Sequence, residues 1–123
     1  MHTRDQQYAA TIFEQVQSIA TNPEQKQEYG SIAHKLPVLI RTAGLAQALA
    51  FVEARGKPPH QLLLNHLATT INCQNLVEQS RTVELNEYMR LTQQALDALL
   101  WYKRFAQSVL GVEAGEENSE GDN

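Results

Sequence analysis

Residues 35–52, KLPVLIRTAGLAQALAFV, decide how the fold is read. They spell a short apolar helix, Leu36–Ile40, then a break at Arg41-Thr42-Ala43-Gly44, then a second apolar helix built largely of small residues. Pro37 suits a first helical turn, where its missing N–H leaves nothing unsatisfied. Gly44 permits a sharp turn or close approach of a neighbouring helix. Beyond it Leu45, Ala48, Leu49 and Val52 recur at helical spacing, and Ala46, Ala50 and Phe51 widen the stripe. Lys35 and Arg41 flank the first helix of an otherwise uncharged patch. The pattern describes a tight helical core with cationic tips that face something anionic, and it has no catalytic character.

Working outward, helical spacing continues and no segment alternates as a strand would. A first helix is predicted from just after Thr3 to about Thr21, burying Tyr8, Ile12, Phe13, Val16, Ile19 and Ala20. Asn22-Pro23 restarts the chain as N-cap and first helical residue. The second helix is expected to end near Lys35, because Leu36-Pro37 imposes a boundary or kink. Gly56 caps the helix that follows Gly44. Lys57-Pro58-Pro59 reads as a rigid connector to a helix over Gln61–Ile71, and a short helical turn is expected at Asn75–Gln79. The last helix is predicted from about Glu84 to Leu110, capped by Thr82 and ended by Gly111, spanning roughly 40 Å. Its main stripe reads Leu85, Tyr88, Met89, Thr92, Ala95, Leu96 and Leu99, while Leu100, Trp101 and Phe105 add a second apolar face. Such a helix either sits centrally or offers surface to a partner.

The expected fold is therefore all-α: a compact single-domain helical bundle of about five to six helices with a long C-terminal helix. It occupies residues 1–111, and residues 112–123 form an acidic, disordered tail. The 123 residues suffice for one core. One cysteine, Cys73, excludes an internal disulfide framework and suits a reducing cytoplasm. Neither a secretory signal nor a membrane-spanning apolar run is visible. The formal net charge of −4 is uneven: the tail carries five acidic residues and no basic one, which leaves the body near +1. A body of that charge binds nucleic acid only through a local basic patch.

Catalytic and metal chemistry find no support in the residues. His34, His60, His66 and Cys73 show no H-x-x-x-H or paired C-x-x-C spacing; they read as surface histidines and an ordinary buried thiol. The glycines are too dispersed for a phosphate loop. The three aspartates, Asp5, Asp97 and Asp122, do not cluster in sequence, and the first and last lie near ends expected to fray. Asp97 shares a helix face with Arg104 and is expected to support it. No cofactor and no metal are expected, and the chain is not read as an enzyme. Of the basic residues, Lys35, Arg41, Lys103 and Arg104 stand out, the last two within WYKRF beside aromatic rings. Such groups contact phosphates without reading sequence. A DNA-binding helix-turn-helix is disfavoured, since Gly44, Leu45, Ala46 and Ala48 occupy the turns where base-reading polar side chains belong.

Two segments carry a resemblance. The pattern K-L-P-x-x-I-x-x-x-G-L-x-x-x-L-A-F over Lys35–Phe51, followed by L-x-W-x-K-R-F-A at Leu99–Ala106 within Leu99–Leu110, resembles the small α-helical subunit of the type III-B CRISPR RNA-guided effector, the Cmr complex. Chain length and the long final helix fit as well, and the resemblance extends over roughly residues 1–112. It implies a non-catalytic helical bundle that stacks head to tail with further copies of itself into the minor filament of a cytoplasmic ribonucleoprotein. There it touches other Cmr-complex subunits and helps hold the guide RNA–target RNA duplex for antiviral interference. Lys35, Arg41, Lys103 and Arg104 are the positions in the matching segments that line the RNA channel on this reading. The free protein is expected to be a monomer, and the tail's charge to discourage misplaced RNA binding. The alternative is a helical protein–protein adaptor without nucleic-acid contact.

Overall fold

Local signals set most helix ends in the computed structural model, which describes residues 1–115. Thr3 caps α1 (Arg4–Ala20) by accepting from the Gln6 N–H, and the Gln6 side chain returns the bond to the Thr3 N–H, a reciprocal capping box. Asn22 accepts from the Glu24 N–H and Pro23 opens α2 (Pro23–Ala43). α3 (Leu45–Arg55) ends on Gly56, whose φ of 66° is left-handed. α4 (Pro58–Thr70), α5 (Leu76–Thr82) and α6 (Leu85–Ser108) complete an all-helical single domain, with no strand among the described residues.

Several expectations are corrected. Leu36-Pro37 does not end a helix: α2 runs through it to Ala43, so Lys35 and Arg41 belong to one helix and flank no separate one. Pro37 deprives the Ala33 carbonyl of its intrahelical donor and by itself costs about 3 kcal/mol. Burial of Leu36, Pro37 and Ile40 within the bundle offsets that cost. α4 starts at Pro58, since two prolines at its N-terminus satisfy the first-turn rule instead of forming a connector. Thr82 is the last residue of α5 and not a cap; α6 starts after Glu84 with no side-chain cap bond. Residues 112–115 are described and the rest of the expected tail, 116–123, lies outside the described residues.

α2 is the central helix, packed against α1, α3, α4 and α6. α6 packs on α2, α1 and α4, and its expected stripe is rotated. Leu91, Ala95, Ala98, Leu99, Tyr102 and Ala106 are buried, whereas Leu85 and Met89 are 69% and 59% exposed. Three alanines on the buried line let the α6 backbone approach its neighbours closely, a role the larger side chains could not fill. Tyr88 meets Gly44 and Ala46 at one end of α2, and Val112 meets Gly30 and His34 nearer the other. α2 and α6 are therefore antiparallel. α1 and α6 run in the same direction, since Asp5 bonds Trp101 and Phe13 packs on Phe105.

Polar groups tie the interior together. Tyr102 donates to Gln15 Oε1 at 2.6 Å, Thr70 Oγ1 lies 2.9 Å from the Tyr102 oxygen, and Tyr29 shares a 2.6 Å bond with His66 Nδ1. Burial pushes both tyrosine hydroxyls above their ordinary range, so they stay protonated and able to donate.

The three histidines weighed as metal ligands, His34, His60 and His66, are not surface groups. His34 and His60 are buried and His66 is half-buried. His60 Nε2 is 3.3 Å from Glu28 Oε1, and Lys57 Nζ is 3.4 Å from Glu28 Oε2. Burial nevertheless wins over the carboxylate and lowers the His60 pKa, because protonation adds a buried N–H at Nδ1, an atom with no partner among the described residues. Burial lowers His66 as well. Both groups are protonated more readily in the unfolded chain, with its pKa near 6.5. Their contribution to stability is thus complete above about pH 6.5 and declines as the pH falls through their folded pKa values. Urea midpoints are expected to be level from pH 7 to 8 and to drop toward pH 5. The drop should shrink when His60 and His66 are both replaced by glutamine; a variant as acid-sensitive as the parent would refute the assignment.

Candidate nucleic-acid interface

The four basic positions expected from sequence all lie on the antiparallel α2–α6 pair, but they do not converge on one spot. Arg41 occupies the last turn of α2, where a cation suits the helix dipole. It is exposed and sits on the line of Gly30, His34, Pro37 and Gly44, the edge that meets α6. Lys35, six residues earlier, falls about 120° away around α2 and is half-buried. On α6, Arg104 is exposed and Lys103 half-buried. Adjacent helical residues diverge by about 100°, so the two point to different flanks. Arg104 lies over the Trp101 ring, 5.9 Å from its centroid, while Lys103 falls about 200° from Trp101.

Several carboxylates are taken up by other cations. Asp97 does not support Arg104; it pairs with Arg4 and accepts from Gln93 at 2.9 Å. Glu28 holds Lys57 and Glu87 holds Arg90. Among the described residues no carboxylate pairs with Arg41, Lys103 or Arg104. The exposed apolar side chains Val38, Leu85, Met89 and Leu100 share the outer faces of the same two helices. Sequence reasoning places Leu85 and Met89 in the core, because two apolar lines run along α6 and periodicity alone does not rank them. The alanines at 95, 98 and 106 are the available signal for the buried line.

Other features offer little chemistry. A cleft of about 290 Å³ is lined by α3, α4 and α5, and its charged groups are Glu53, Glu78 and Arg81, a poor match for phosphate. No three His, Cys, Asp or Glu side chains among the described residues are grouped to hold a metal ion. No helix of the described residues is long and apolar enough to cross a membrane.

Comparison with known proteins agrees with this architecture. The family model for CRISPR-associated protein (Cas_Cmr5) matches residues 4–109. The CRISPR system Cmr subunit Cmr5 of Thermus thermophilus is 46% identical over 113 residues, which cover 89% of this chain and 98% of that protein. The X-ray crystal structure of a CRISPR-associated Cmr5 family protein from the same organism superposes with a TM-score of 0.83 over 89% of this chain and 98% of the other. The match spans all six helices, including the α2 and α6 segments that carry the basic positions, and the chain belongs to the Cmr5 family of CRISPR-associated proteins.

Proposed function

We propose that this chain is the non-catalytic small subunit of a type III-B Cmr effector ribonucleoprotein in the cytoplasm. It stacks head to tail with further copies beside other Cmr subunits and helps hold the guide RNA–target RNA duplex. The observation that carries the reading is the 46% identity, over nearly the whole length, to a protein named as a Cmr subunit. The basic residues of α2 and α6 support the RNA contact, because Arg41, Lys103 and Arg104 carry charge that no described carboxylate answers. A body near +1 suits a subunit that closes a channel formed with others better than one that captures RNA alone. Cleavage chemistry is assigned to other subunits, and the free chain is a monomer.

The test is target-RNA binding by a reconstituted complex carrying Lys35→Ala, Arg41→Ala, Lys103→Ala and Arg104→Ala together, measured across a salt series. Binding is expected to weaken, with a slope shallower by about 0.7–0.9 for each phosphate that the variant no longer neutralises. Unchanged affinity and slope in a complex that retains the subunit would leave a protein-contacting spacer. That second reading has its own support in the exposed Leu85, Met89 and Leu100 of α6.

A further inference from the structure

We infer that Arg104 is a pre-positioned contact for an RNA backbone phosphate at the α1–α6 seam, with Trp101 and Asp5 as its positioning residues. This rests on the RNA-contact reading above and goes further by separating Arg104 from its neighbour Lys103. A chain of rings leads up to the guanidinium. Phe13 packs edge-on against Phe105 at 5.4 Å between centroids, Phe105 lies 5.6 Å from Trp101, and Arg104 lies over Trp101 at 5.9 Å. The indole is fixed at its other end, where Nε1 donates to Asp5 Oδ1 at 2.9 Å. Trp101 is only half-exposed, so the ring forms a floor and not a free aromatic surface.

This arrangement suits phosphate. An aromatic face engages the guanidinium plane, while its five N–H donors remain on the edge, in the fork that matches two phosphate oxygens. Holding the side chain in advance reduces the rotamer entropy that binding would otherwise remove. Of the two carboxylates on this seam, Asp97 is neutralised by Arg4, while Asp5 is turned to the indole N–H and keeps its charge there. Arg4 provides the contrast within the same seam. It too lies over an aromatic ring, Tyr8, at 5.1 Å, but Asp97 neutralises it. Lys103 lies on the other flank of α6, over no ring among the described residues.

The experiment uses the reconstituted complex and target RNA over a salt series, with the quadruple alanine complex alongside. Arg104→Ala is expected to weaken binding and reduce the salt slope by about 0.7–0.9, the value for one phosphate. Trp101→Leu keeps apolar bulk and charge but removes the ring; it should weaken binding roughly two- to fivefold, the weight of an exposed cation–π contact, with the slope unchanged. Trp101→Phe, which restores a ring but not the bond to Asp5, should recover part of that affinity and guards against misfolding of the leucine variant. Should the quadruple variant weaken while Arg104→Ala and Trp101→Leu bind like wild type, this inference fails and the RNA-contact reading stands. An unaltered quadruple variant would remove both.

Discussion

Replacing Gly44 with alanine is expected to lower the free energy of unfolding by about 3 kcal/mol, the sum of a backbone and a steric effect. Gly44 ends α2 and begins α3 at φ 90° and ψ 158°, a combination essentially restricted to glycine. It is held there from both sides: its N–H donates to Ile40 O at 2.9 Å, and its carbonyl accepts from the Ala48 N–H at 3.0 Å. A Cβ at this position would also stand 3.2 Å from the Tyr88 hydroxyl. That hydroxyl accepts from the Ala46 N–H at 3.1 Å and satisfies one of the donors that open α3. The chain therefore cannot relieve the backbone strain by swinging toward α6 without losing a cap. For a domain of this size the loss corresponds to a fall in melting temperature on the order of 10 °C. Tyr88→Phe, which removes the hydroxyl alone, should cost only about 1 kcal/mol. Equal melting temperatures for Gly44→Ala and wild type would show that the junction tolerates a side chain, contrary to the geometry.

Gly30→Ala is expected to destabilise the protein by about 2 kcal/mol, although alanine is the better helix former by about 1 kcal/mol. A Cβ on Gly30 would lie 2.7, 2.8 and 3.0 Å from Cβ, Cγ2 and Cγ1 of Val112. All three atoms belong to a short, branched side chain that has no far end to move aside. Val112 is 2% exposed, its N–H donates to Ala106 O at 2.9 Å, and its carbonyl oxygen lies 2.8 Å from His34 Nε2. Expelling it forfeits about 1.5–2 kcal/mol of burial and about 1 kcal/mol of hydrogen bonding, and the helical gain offsets part of that loss. The sign should reverse in a Val112→Gly background, where the space is vacant and Gly30→Ala can express its propensity gain. Urea denaturation of the four proteins in this cycle measures it. A substitution equally harmful in both backgrounds would mean that Gly30 matters for some reason other than Val112. The contact also fixes the end of α6 against α2.

How much is legible in sequence follows from the range of each interaction. The α1 start at Thr3, the restart at Asn22-Pro23 and the stop at Gly56 rest on contacts within one helical turn, and the structure places them there; the break expected over Arg41–Gly44 narrows to Gly44, since α2 stays helical through Ala43. Pro37 misleads because its local penalty is real, but α2 is packed by four other helices and the bundle overrides it. Helical spacing assigns Asp97 to Arg104, yet its partner is Arg4, 93 residues away in sequence. Asp5 reads as part of a fraying terminus, and it instead anchors Trp101. The same long-range packing buries His34 and His60, which read as surface groups in the sequence.

The sequence by itself determined that this protein is a single all-helical domain and, through the Lys35–Phe51 and Leu99–Leu110 motifs, which family it joins. Caps, prolines and glycines act on their immediate neighbours, so their consequences can be read in order along the chain. Only the tertiary structure decided which line of α6 turns inward, which carboxylates are neutralised, and therefore which cations remain to meet a partner. Those outcomes depend on residues far apart in sequence competing for the same few ångströms, and helical periodicity carries no record of that competition.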